Sequence, residues 1–64
     1  MSDDPLVLAL EDVAATAAAR GMNTVYRYAM SAVGLLLTGA VHHRPIAEAI
    51  LDSCRVFVAR GSVL

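Results

Sequence analysis

Apolar side chains recur along this chain at the three- and four-residue intervals of α-helices. Leu6, Leu10, Val13, Ala14 and Ala17 stand at i, i+4, i+7, i+8 and i+11, which is one helical face. Glu11, Asp12, Ala15 and Ala19 fall opposite, with Leu8 beside them. Asp4 followed by Pro5 has the order of an N-cap and a first helical residue. The carboxylate can accept from free backbone N–H groups, and proline has no N–H to leave unpaired. Gly21 suits a helix end. The pattern predicts a first helix over 5–20.

A second helix is predicted over 24–42, capped by Asn23 or Thr24 and ended before Arg44-Pro45. Val25, Ala29, Val33, Leu36 and Ala40 make one stripe, and Met22, Tyr26, Met30, Leu37 and Val41 lie beside it. The polar face is thin: Arg27, Ser31, Thr38 and His42, with Leu35 close by. A helix apolar nearly all round is expected to be buried. Gly34 and Gly39 each lower helix propensity by about 1 kcal/mol, which close approach of another backbone could offset.

Pro45 can start a third helix over 45–60, with Gly61 just beyond it. Ile46, Ala47, Ile50, Leu51, Cys54, Phe57 and Val58 form its apolar stripe. Glu48, Asp52, Arg55 and Ala59 mark the other side, where Asp52 and Arg55 can pair at i, i+3. The alternation Arg55-Val56-Phe57-Val58 also suits a short strand, but the 3.6-residue pattern begins earlier and includes Cys54. The fold class read from these patterns is all-α: one domain over residues 1–64, a small three-helix bundle with the second helix central.

Composition changes the picture of assembly. The chain has 64 residues, 58% apolar and 17% charged. It is too apolar to be disordered, and too short for two domains or a barrel enzyme. At this size, burial and conformational entropy nearly cancel. One Cys allows no disulfide within the chain. Small, unstapled, apolar chains usually find further burial in a second subunit. The bundle is therefore expected to be completed by homodimerisation, through apolar surface left over from the first two helices. Leu8, Met22, Tyr26, Met30 and Leu35 are the candidate interaction residues. The expected partner is a second copy, with another protein as the next choice.

Charge argues against two other partners. The net charge is −1 and the five Arg are spread over three helices, so no basic stripe exists for nucleic acid. A nucleic-acid-associated regulator is an alternative that needs a dimer to gather Arg27 and Arg44 on one face. The uncharged run Tyr28–Val41 is 14 residues, short of the roughly 20 that span a bilayer. A membrane-associated protein is the other alternative, and the thin polar face lacks the cations of an interfacial helix. Asp3 and Asp4 have the wrong sign for a secretory n-region, and a lone Cys fits a reducing compartment. Arg without Lys, with much Ala and Val, matches GC-rich coding. A bacterial cytoplasmic setting is the expectation.

Candidate chemistry is sparse. His42 and His43 are adjacent, so on a helix they diverge by about 100°, whereas helical metal ligands sit at i, i+4. Only a loop could bring them together, with Asp52 or Cys54 as a third ligand. An exposed helix end is the simpler reading. Cys54 lies mid-helix on the apolar stripe, where burial raises a thiol pKa, and it reads as a small hydrophobe. Ser62-Val63-Leu64 matches the pattern that carboxylate-binding grooves take up by strand addition, but an ordinary apolar tail is the preferred reading. No catalytic, cofactor-binding or metal-ligating residue is assigned, and enzyme activity is not expected. The leading function is a dimerisation or protein-interaction module.

Overall fold

The structure is a computed structural model that describes residues 4–39 and 41–61. It contains three α-helices, and no strand among the described residues: α1 Pro5–Ala19, α2 Asn23–Leu37 and α3 Arg44–Arg60. A 3-10 turn, Val41–His43, precedes α3. Each helix contacts the other two, with α1 against α2 the most extensive pairing and α1 against α3 the least. The bundle measures 31 × 21 × 15 Å.

The first helix begins as its sequence dictates. Asp4 is extended, Pro5 opens the helix, and the Leu6 N–H donates to Asp4 Oδ1 at 3.0 Å. Its end sets the next corner. Gly21 adopts φ 73°, a left-handed conformation that costs a residue with a Cβ about 1–2 kcal/mol. The Gly21 N–H then reaches Ala18 O at 3.1 Å, and the Met22 N–H reaches Ala17 O at 2.8 Å. These are the two bonds of a Schellman ending. The apolar contact that accompanies such an ending draws Met22 into the core.

Met22 is also the N-cap of α2, so neither Asn23 nor Thr24 caps it, and no side chain does. The Tyr26 N–H bonds Met22 O at 3.0 Å, so the second helix starts one residue after the first turn closes.

α2 ends at Leu37, earlier than the predicted 42. Gly39 has φ 80°, and its N–H returns to Leu36 O at 3.1 Å. Gly39 is thus a stop, where the sequence pattern treats it as a weak interior position. Ala40 lies outside the described residues, as does the Ser62-Val63-Leu64 motif.

The core is built from small residues. Ala17, Ala29, Ala32 and Ala47 are fully buried, as are Leu10 and Cys54. Leu6, Val7, Val13, Ala14, Val25, Val33, Ile50 and Leu51 surround them. The predicted α1 stripe is buried throughout. On α3 the stripe is narrower than predicted: Ile46 is exposed, and Phe57 and Val58 are half-buried.

α2 is not buried all round. Tyr26, Tyr28, Met30 and Leu37 are exposed. One face of α2 meets α1 and α3, and three helices cannot also cover its back.

Two polar clamps join α1 to α3. At one end Arg44 forks onto Asp4, with Nη1 to Oδ2 at 2.6 Å and Nη2 to Oδ1 at 3.3 Å. At the other, Arg20 Nη1 donates to Val58 O at 2.9 Å. The predicted Asp52–Arg55 pair does not form; Asp4–Arg44 is the ion pair among the described residues.

The hydrogen bonds and charge of Arg44, with the Leu6 N–H, hold the Asp4 carboxyl below its usual pKa. A depressed carboxyl stabilises fully above the unfolded value of about 3.9, and its contribution fades as pH falls through the folded value. Asp4→Asn keeps an acceptor for Leu6 but loses the ion pair, and Asp4→Ala loses both. Thermal melts at neutral pH are expected to rank wild type above Asp4→Asn above Asp4→Ala. The first gap should close in acid. Equal melting temperatures at neutral pH would show that the clamp carries no stability. Gly21→Ala, with open space around the new Cβ, is expected to cost about 1 kcal/mol from backbone strain alone. A neutral result by urea titration would contradict that account of the corner.

Candidate functional site

The five candidate interaction residues do not share one surface. Met22 is 2% exposed and belongs to the core, for the Schellman reason given above. Leu8 is exposed on the back of α1, among Glu11, Asp12 and Ala15. Leu35 is half-buried and packs against the core. Tyr26 and Met30 are exposed, and at 100° per residue they lie within about 40° of each other on α2.

Leu37 joins them. At i+11 from Tyr26 it projects between the two, and it is 68% exposed. Its place on the stripe was legible from spacing alone. Gly34 is exposed about 40° further round from Met30. The outer face of α2 therefore carries Tyr26, Met30, Gly34 and Leu37, with the exposed Asn23 between Met30 and Gly34. Arg27 lies at its edge.

The other flank of α2 faces α3 across an open groove of about 560 Å³. Val25, Tyr28 and Phe57 line it with Thr24, Ser31, Ser53 and Arg27. Ser31 Oγ donates to Arg27 O at 2.9 Å, so its proton is committed within α2. The lining contains no carboxylate, imidazole or thiol, the groups that most often move protons or attack substrates.

His43 acts as a cap. Thr38 Oγ1 donates to Leu35 O at 2.6 Å, and His43 Nδ1 lies 3.2 Å from that oxygen and 3.1 Å from Thr38 Oγ1. The side chain closes the C-terminal end of α2, where free carbonyls need donors. The His42 ring stands edge-on to it, with centroids 4.7 Å apart. Among the described residues, no group of three His, Cys, Asp or Glu side chains is placed to hold a metal ion.

Cys54 is fully buried, with Sγ 4.0 Å from Val25 O, and burial pushes its thiol pKa up. Two of the five Arg are engaged within the fold, Arg20 on Val58 O and Arg44 on Asp4. No helix among the described residues is long and apolar enough to cross a membrane.

Comparison with family models, with curated proteins and with solved structures finds no match.

The burial of Cys54 has a measurable consequence. Only the exposed thiolate reacts with disulfide reagents, so modification must wait for unfolding. The native chain is expected to react with dithiobis(nitrobenzoate) at least a hundredfold slower than the chain in urea. Reaction at the unfolded rate under native conditions would place Cys54 at the surface.

Proposed function

We propose that the chain is a helical association module that pairs with a second copy of itself and acts by binding rather than by catalysis. One observation carries this reading: α2 presents Tyr26, Met30 and Leu37 within about 40° of one another on its outer side, with Arg27 at the edge, while Val25, Ala29, Ala32 and Val33 are buried in the core. Exposed large hydrophobics scattered singly mean little, but a contiguous apolar stripe is the mark of an interaction surface. Tyr and Met are among the residues enriched in such contacts.

The size of the face sets the expected strength. A stable interface covers about 800 Å² on each partner. That is roughly a fifth of the 4089 Å² this chain exposes. A stripe of three large side chains supplies less, so micromolar association is expected. A bacterial cytoplasmic setting accords with the unpaired Cys54 and the Arg-only cation usage.

Sedimentation equilibrium from about 10 to about 500 µM brackets that affinity. The apparent mass is expected to rise from 6.7 kDa toward twice that value. Met30→Glu or Leu37→Glu puts a charge on the exposed face and leaves the core alone. Each is expected to weaken association at least tenfold while the circular dichroism spectrum stays helical. A chain that remains monomeric throughout would overturn the proposal.

A further inference from the structure

The groove between α2 and α3 lies on a different side of α2 from Tyr26, Met30 and Leu37, so it stands apart from any pairing through those residues. Its geometry points to a binding site for a small aromatic monocarboxylate, with Arg27 receiving the carboxylate and Tyr28 and Phe57 receiving the flat apolar body. Small side chains hold the groove open: Thr24 and Ser31 on α2, and Ser53 on α3. Its volume of about 560 Å³ falls within the range of small-molecule sites.

The lining supplies both halves of such a ligand. Val25, 3% exposed, gives the groove an apolar base. Tyr28 and Phe57, two of the three aromatic residues in the chain, line it from opposite helices. Neither ring is paired with another aromatic ring among the described residues, so both have faces and edges to offer an entering ring. Thr16 and Ser31 return their hydroxyls to carbonyls of their own helices. Ser53 is also mid-helix and does not. Among the described residues, the hydroxyls of Ser53, Thr24 and Tyr28 have no partner within the chain, which leaves three donors along the groove.

Charge sets the class of ligand. The lining holds Arg27 and no acid, and α2 itself has no acidic residue. Asp4–Arg44 is the ion pair among the described residues, so Arg27 answers no carboxylate of the chain. Asp52 precedes Ser53 but lies about 100° round α3 from it, exposed to solvent. A guanidinium meets a carboxylate as a two-pronged donor. One such cation balances one negative charge, which suits a monocarboxylate better than a phosphate dianion.

Sodium 2-naphthoate is the probe, and 2-naphthylmethylammonium chloride has the same rings with the opposite charge. For a ligand of this size a Kd of about 1 mM is expected, read by titration of the amide resonances of the nitrogen-15-labelled chain. Naphthoate should move the amides of Thr24, Tyr28, Ser53 and Phe57 and leave that of Leu8 in place. The ammonium should bind roughly tenfold more weakly or less, and Arg27→Gln should abolish that preference by weakening naphthoate alone. Ser53→Leu fills the groove and should weaken both probes roughly tenfold. Ser31→Leu fills it from α2 and replaces that variant if its circular dichroism spectrum loses helix.

Naphthoate that leaves the groove amides unmoved, equal binding of the two probes, or wild-type affinity in the filled variant would overturn the site. A chain that binds naphthoate but stays monomeric would overturn self-association and leave the site standing.

Discussion

Close helix contact through small side chains is the constraint on which this structure depends. Interaxial distance is set by the residues at the crossing. Here Ala14, Ala17, Ala29, Ala32 and Ala47 fill much of the interior. Alanine orders without side-chain entropy loss, which suits a chain whose burial and entropy nearly balance. It also leaves little volume inside. Tyr26, Tyr28, Met30, Leu37 and Ile46 have no place in so thin a core and stand outside it. The apolar surface is thus a consequence of the packing.

The helix ends supply what the core does not. α1 and α3 touch least, and both polar clamps join that pair. Asp4 serves twice, capping α1 and receiving Arg44 from the start of α3. It also places a negative charge beside the cation at that helix N-terminus, where the dipole alone disfavours Arg. Arg20, just past the end of α1, answers a carbonyl near the end of α3. The corner at Gly21 connects these effects to the core, because the bonds that close it bury Met22 and begin α2.

Local signals carried most of the fold. Asp4-Pro5, Gly21 and Gly61 bound helices where their chemistry says they should, and the α1 stripe is buried residue for residue. Gly39 held the same stop signal as Gly21, but the apolar run around it hid the end of α2 behind an unbroken pattern. Met22 shows a different limit. Its burial follows from turn geometry, which helical periodicity does not encode. Leu37 sat on the correct stripe, and only the count of available neighbours decides that the stripe faces out. The Asp4–Arg44 clamp spans 40 residues and has no local signature. His43 likewise acquires its role from a turn that brings it back to Leu35 O.

A core of small residues leaves α2 half-covered, and the proposed association would cover it with a second copy. Association that buries the face of the folded chain stabilises it by mass action, so stability must depend on protein concentration. The most direct measurement is the urea midpoint at about 5 µM and at about 500 µM, followed by circular dichroism. The account predicts a midpoint that rises with concentration in the wild-type chain and stays fixed in Leu37→Glu. A wild-type midpoint that does not move across that range would contradict it.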